Sequence, residues 1–479
     1  MTVARAEEQK LAQNGKRWLC AWRGGAVLLG ALLLSWPAVF NGFPLIYPDS
    51  MTYLFDGHVV ARALFLHQPS EYYGVRSFFY SLGILPFHWN LSPWPIVALQ
   101  CLLVAWIIWL LVRSFQAPSV APRRMAASYL LLVLFLSLLT SVSWYACFIM
   151  PDILGPLAYL SFFLLAFARE TLSRAERWGL YLISVWGITA HASHLMLAVG
   201  LCLLLILFAA FERRPFWRRV RSLGELAAII AVAAAAQMAL HGYLYGKPTL
   251  NGMRPPYLMA RVMADGPGLW YLQNNCPQLQ WAVCNHLSQF SGDPDDFLWG
   301  ANGVYQSVSY DEQAQIDQEE MPLVLATLRA YPLQQLSRST ANFWNQFVNF
   351  GVYGFDANEW MLAQFDQVFP RQKSIYLESR QAHGDLPLDL FTEIQWWTIV
   401  GSLAVIAVLI PLLWRRHSLR LAGLTLVIAA AVAVNAGVTG VLSVVDDRYQ
   451  CRVIWLVPLL AGIFFLEWLE QRKAPKLGA

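Results

Sequence analysis

Apolar residues along this chain come in uninterrupted runs rather than in alternation, and short arginine-rich joints separate the runs. A helix crossing the hydrocarbon of a bilayer needs about 20 predominantly apolar residues. Ten runs approach that length: 26–43, 93–111, 126–148, 153–167, 178–189, 195–210, 223–240, 396–413, 421–442 and 453–468. The fifth and sixth are short and flank HASH at 191–194, so they form either a bent pair or one long span. The pattern predicts an α-helical polytopic membrane protein with about ten transmembrane helices. Three regions follow: a transmembrane module over 1–240 with about seven spans and a first outer loop at 44–92; an extracytoplasmic domain over 241–395; and a module of about three spans over 396–479.

Composition agrees with this pattern. Apolar residues make up 57% of 479 positions and charged residues 13%, against about 25% charged in soluble domains. The placement of charge is more informative than its net value of +4. With ten spans, the six segments on one side hold 22 of the 34 Lys and Arg residues, including RRPFWRRVR at 213–221 and WRRHSLR at 414–420. The excess of positive charge on cytoplasmic loops then puts both termini in the cytoplasm. The first run follows a basic stretch as a signal peptide would, but it is long and lacks a clear A-x-A site, which favours an uncleaved anchor. These features predict a multi-pass membrane protein with both termini in the cytoplasm.

The long outer segment is rich in Pro, Gly, Asn, Gln and aromatic residues, with turn signals at RPP, DGPG and GDPDD. Within it, 321–350 spaces apolar residues at helical intervals with few charges, which predicts one or two helices along the outer interface. The first outer loop has a similar apolar side at Val59, Val60, Ala63, Leu64 and Phe65. Five cysteines (Cys20, Cys101, Cys147, Cys202 and Cys451) fall in or beside spans as small apolar fillers. Cys276 and Cys284 lie in the outer segment, where an oxidising compartment permits a disulfide; two free thiols are the alternative. There is no internal repeat of obvious period and no P-loop, strand–GxGxxG–helix or HExxH motif. A nucleotide-driven pump is therefore disfavoured.

The topology gathers ionisable residues from distant parts of the chain at one membrane face. Asp49 in YPDS follows the first span, and Arg76 precedes the second. Asp152 in MPDILGP opens the fourth, and His191 and His194 lie at the turn between the fifth and sixth. Asp446, Asp447, Arg448 and Arg452 in VVDDRYQCR lie between the last two. Ionisable groups near hydrocarbon are costly and mark function or specific pairing. Each also has a plainer reading. Asp49 can cap a short helix at 51–55, and Asp152 can cap the fourth span. The two histidines can ligate a metal or simply form interfacial hydrogen bonds. Arg452 must pair with an acid such as Asp446 or Asp447, or bind an anion. Arg254, Arg261 and the acids of GDPDDFLWG either contact an acceptor or are ordinary surface residues. Tyr47, Tyr53, Tyr72, Tyr73, Trp144 and Tyr145 belong mostly to the interfacial aromatic belt, with one or two placed to stack on a sugar.

A lipid-phosphate-linked sugar matches such a set. Its phosphate sits at headgroup height and its prenyl chain lies in hydrocarbon. Arginine offers paired donors to phosphate oxygens, and a nearby carboxylate can take the proton from an attacking hydroxyl. The order of one span, an outer loop with YPDSxxYL, PDxxGPL after the third span and DRYQxR before the last resembles the GT-C superfamily of integral-membrane glycosyltransferases. The protein O-mannosyltransferases and the bacterial aminoarabinose transferase belong to that superfamily. The resemblance implies an inverting transferase acting on a polyprenyl-phosphate sugar at the outer, periplasmic face. In it Asp49 matches the first-loop catalytic carboxylate, Asp152 looks like the second acidic position and Arg448 looks like a basic residue near the donor phosphate. Arg76, His191, His194, Arg452, Tyr47 and Tyr53 are the further candidates for holding phosphate or sugar. Paired acids or Asp-x-Asp in the first loop are absent, so no divalent metal or other cofactor is required. The expected partners are the lipid-linked donor, membrane lipids and a glycan, lipid or protein acceptor, and not nucleic acid. The alternatives are a flippase of lipid-linked glycans, which would need matched repeats and polar residues deep in the spans, an O-antigen-ligase-like polymerase, or a non-catalytic assembly protein.

Overall fold

Unbroken apolar runs fold as single helices because backbone N–H and C=O groups in hydrocarbon must be satisfied within the segment. The structure, a computed structural model, describes residues 22–70, 76–116, 120–211, 216–250, 252, 254–355, 358–414 and 419–473. Among these, eight helices are long and apolar enough to cross a membrane: Trp22–Asn41, Trp94–Phe115, Pro122–Leu139, Ala192–Ala209, Trp217–Tyr245, Leu388–Leu413, Leu419–Leu442 and Asp447–Arg472. The chain is an α-helical multi-pass membrane protein.

Ten runs become eight long helices because two of them stay short. The 153–167 run lies within Pro151–Phe167, which opens with a 3₁₀ turn and is buried at every residue. A helix apolar all round is either a membrane span or a core helix, and the burial of every residue encloses this one in protein. The 178–189 run is the helix Arg174–Thr189, started by a reciprocal cap in which Ser173 Oγ accepts from Glu176 N while the Glu176 carboxylate accepts from Ser173 N. Its 16 residues extend only about 24 Å at 1.5 Å per residue, short of the roughly 30 Å hydrocarbon thickness. The 126–148 run also breaks, at Thr140, and resumes as the short helix Val142–Cys147.

The chain packs as two compact units. The first comprises Met1–Ala236, Gly351–Ala431 and Cys451–Ala479; the second comprises Gln237–Phe350 with Val432–Gln450. The outer segment drawn from sequence at 241–395 is thus divided, because residues from Gly351 onward fold with the first unit. There Gln381 donates to the carbonyls of Ile46 and Phe355 at 2.6 and 3.0 Å and accepts from Ile46 N at 3.2 Å.

In the second unit, the helices Tyr257–Ala264, Pro267–Leu279, Pro294–Trp299 and Tyr310–Ala330 close over Met259, Met263, Leu272, Phe297, Ile316 and Leu323. Arg254 pairs with Glu320 at 2.6 Å, and Arg261 pairs with Asp265 one turn further along its helix. Both arginines are therefore engaged inside the unit. Cys276 and Cys284 are joined as a disulfide, which excludes the free-thiol alternative. Alkylation mapping is expected to leave both cysteines unmodified until reduction. Loop-closure entropy for so short a ring gives the bond about 2.5 kcal/mol of stabilisation, and Cys276→Ala should lower thermal stability accordingly.

Candidate functional site

The site of the first unit begins with two chain segments laid side by side. Leu45 and Phe148 form a parallel bridge, with Leu45 N donating to Cys147 O at 3.0 Å and Ile149 N donating to Leu45 O at 2.9 Å. Three residues beyond each bridge partner comes a Pro-Asp pair that starts a helix: Pro48–Asp49 opens Pro48–Leu66, and Pro151–Asp152 opens the 3₁₀ turn Pro151–Ile153. Proline suits a first helical position because its missing N–H has no partner there in any case. One bridge thus sets two carboxylates at neighbouring helix starts.

Neither carboxylate is used as a helix cap. At the first helix, Ser50 Oγ accepts from Tyr47 N at 2.9 Å, and Tyr47 O accepts from Ser50 N at 2.8 Å. Asp49 instead accepts from Arg76 Nη2 at 2.6 Å, with both side chains partly open to solvent. The helix itself runs to Leu66, well past the short 51–55 segment read from sequence. Asp152 faces Arg452 at 3.4 Å, and both are buried, at 3% and 1% side-chain exposure. Arg452 therefore has Asp152, an acid distant in sequence, as an ion-pair partner. A capping role was the plain alternative for both acids, and an ion pair takes its place in each.

Further contacts bind these pairs into one framework. Ser77, next to Arg76, donates to Thr189 O at 2.6 Å, which ties the chain beside the arginine to the end of the helix that precedes HASH. Tyr80 donates to Gln100 at 2.8 Å, and Gln100 donates to Ala146 O and Phe148 O at 3.1 and 2.8 Å. Tyr53 lies edge-on to Tyr80 at 5.0 Å, and Tyr47 meets Phe148 at 6.2 Å. Arg452 Nη2 also donates to Ser193 Oγ at 3.4 Å, and Ser193 Oγ lies 2.8 Å from His191 Nδ1.

His194 Nδ1 lies 2.7 Å from Gly187 O. A carbonyl only accepts, so Nδ1 carries the proton and Nε2 of the neutral ring is an acceptor. That Nε2 is buried without a partner, as is the Tyr159 hydroxyl. Arg452 is near enough to act electrostatically on both groups. Room for the imidazole depends on Gly155, where an added Cβ would come 3.1 Å from His194 Nε2. The two histidine rings are 5.2 Å apart and engaged in hydrogen bonds. Among the described residues, no group of three or more His, Cys, Asp and Glu side chains gathers about one point.

Other candidates are placed differently. Arg448, Asp446 and Asp447 belong to the second unit. Asp446 Oδ1 accepts from Arg448 N at 2.7 Å, and the Arg448 guanidinium lies over the Tyr449 ring at 5.2 Å. Solvent reaches Asp295 of GDPDD, yet enough protein surrounds it that lost hydration pushes its carboxyl up to about 6; Asp293 and Asp446 add to the shift, and Arg448 and Arg261 oppose it. Trp144 and Tyr145, expected in the aromatic belt, are buried; Trp144 packs on Trp36, Phe355 and Phe391. Tyr53 is buried as well. Tyr72 and Tyr73 lie outside the described residues, as does Cys20.

Sequence reading missed Tyr80, Gln100, Tyr159, Ser193 and Gln381. Gln100 did carry a signal, being the one amide within the 93–111 run, where a polar side chain calls for a partner. Ser193 stood in plain view between the two histidines. Tyr80, Tyr159 and Gln381 have nothing in their local sequence to single them out. No family model, curated protein or solved structure matches this chain.

Proposed function

We propose that this chain is an inverting glycosyltransferase of the GT-C type. It would move a sugar from a polyprenyl-phosphate donor to a glycan, lipid or protein acceptor at the periplasmic face of a bacterial cytoplasmic membrane. The observation that carries the reading is the pair of bridged Pro-Asp turns, one carboxylate partly open beside Arg76 and the other buried beside Arg452. Asp49, oriented by Arg76, takes the proton from the acceptor hydroxyl as that oxygen attacks the anomeric carbon. The bond between the anomeric carbon and the phosphate oxygen breaks, and the lipid phosphate leaves with the electron pair, inverting the anomeric centre. Arg452 and the Tyr159 hydroxyl are donors suited to the charge that develops on that phosphate. Nε2 of His194, an acceptor, suits a sugar hydroxyl instead.

A place for the lipid chain adds support. An open apolar groove of about 240 Å³ lies along Val199, Cys202 and Leu203 of one span and Ala227, Ile230 and Ala234 of the next. It starts within two turns of His194 along the same helix, at a depth where hydrocarbon is expected. The arginine distribution favours cytoplasmic termini and an outward-facing site, and an even number of crossings is common to the eight long helices and the ten runs. A donor carrying its own phosphate leaving group requires neither ATP nor a metal. Lipid-linked sugars and envelope glycans of a deletion strain test this reading. One polyprenyl-phosphate sugar should accumulate while one glycan, lipid or protein modification disappears. Unchanged profiles in both fractions would remove the proposal.

A further inference from the structure

The helix Pro332–Val348 in the second unit is reversed relative to a water-facing element. At 100° per residue, Gln335, Ser339, Asn342 and Gln346 fall on one stripe, and this polar stripe faces protein. Gln335 and Asn342 donate to Asp265 at 2.6 and 2.8 Å. Gln346 brackets the backbone of Asp446, donating to its carbonyl at 2.8 Å and accepting from its N–H at 2.9 Å. The opposite side carries Leu333, Leu336, Trp344 and Val348, exposed by 75, 63, 57 and 63%. The preceding helix, Tyr310–Ala330, buries Ile316, Glu320, Leu323 and Thr327 and leaves Met321, Leu325 and Leu328 as an exposed stripe at i, i+4 and i+7. Large apolar side chains gathered on one exposed face mark a contact surface in soluble proteins.

The location of the helix identifies what covers that face. Gly437 and Gly440, near the end of Leu419–Leu442, lie against Phe343, Asn342 and Gln346, on the side of the helix away from that face. A Cβ at Gly440 would come 2.7 Å from Asn342 O and 2.8 Å from Gln346 Cβ, so glycine permits the close crossing. The crossing lies within five residues of the end of that helix, or about 7 Å at 1.5 Å per residue. Interfacial helices bury their apolar faces to a similar depth, about 5–10 Å. Trp344 suits that level, and the exposed Arg329 and Arg338 beside the apolar face suit lipid phosphates.

We infer that the exposed face of Pro332–Val348, with the Met321–Leu325–Leu328 stripe, docks into the lipid bilayer and anchors the second unit to the membrane surface. Gln346 grips the Asp446 backbone from the other side of the same helix, so docking also fixes the height of the segment that carries Arg448. This inference is independent of the transferase reading. It is tested on the full-length protein in phosphatidylglycerol-containing nanodiscs, with spin labels at Leu336→Cys, Val348→Cys and Leu325→Cys and a control label at Gln334→Cys. Cys101, Cys147, Cys202 and Cys451 are buried, and protein without an added cysteine supplies the background. Molecular oxygen should relax the three test labels more effectively than a water-soluble nickel chelate, with the order reversed at Gln334→Cys. Nickel dominating at the test positions would place the face in water and overturn the inference. Low access to both reagents would mean that protein covers it, a second copy or another partner, and would overturn it equally.

Discussion

Asp49→Asn is expected to reduce sugar transfer by about 10²- to 10⁴-fold, the contribution of a positioned general base, with membrane insertion and melting behaviour close to those of the parent protein. The substitution keeps the shape of the side chain and an oxygen that can accept from Arg76, so the loop before the Pro48–Leu66 helix has no reason to rearrange. Both partners of this pair are partly open to solvent, and exposed ion pairs contribute only about 0–1 kcal/mol to stability. The helix start does not depend on the charge either, because Ser50 and Tyr47 cap it. Loss of turnover without loss of fold is therefore the signature of a chemical role. Near-normal transfer by Asp49→Asn would remove Asp49 as the base.

Arg452→Ala should act through stability first. It leaves the Asp152 carboxylate with no counter-charge in a site that is almost fully buried. Breaking a buried pair by removing one partner costs about 3–5 kcal/mol, most of it from the stranded charge. The double variant Asp152→Asn with Arg452→Met removes both charges and should recover most of that loss, since the remaining side chains fill the space without an unpaired ion. Thermal unfolding followed by fluorescence-detected size exclusion measures both effects. A single variant as stable as the parent would mean that the 3.4 Å contact contributes little. A double variant no better than the single would shift the cost to lost packing around Arg452 and Trp455, whose indole donates to Arg452 O.

The membrane architecture was legible because uninterrupted apolar runs leave the backbone few alternatives. What the runs could not reveal was helix length at buried positions. Pro151–Phe167 is as apolar as any span, and periodicity alone does not separate a lipid-facing helix from one enclosed by protein. The acids of the candidate site stood out in the sequence, since Asp49 and Asp152 each stand behind a proline at the end of a run. Their partners were harder to find. Asp446 and Asp447 are nearest to Arg452 in sequence, yet 300 residues separate Arg452 from the acid it meets. Only tertiary packing selects that pairing. The Leu45–Phe148 bridge is likewise a two-residue contact with no strand pattern to announce it. Trp144 and Tyr145 misled for a related reason: aromatic residues at run ends suit an interfacial belt, but the helix Val142–Cys147 folds inward and buries them.

One measurement bears most directly on the account, which rests on a phosphorylated isoprenoid surrendering its sugar beside the Asp49 and Asp152 carboxylates. Purified protein in proteoliposomes is supplied with an acceptor-containing envelope extract and radiolabelled polyprenyl-phosphate sugars extracted from the deletion strain. The account predicts that label passes to the acceptor with inverted anomeric configuration while free polyprenyl phosphate appears in equal amount. Donor that stays intact, or that crosses the bilayer with its sugar still attached, would contradict it.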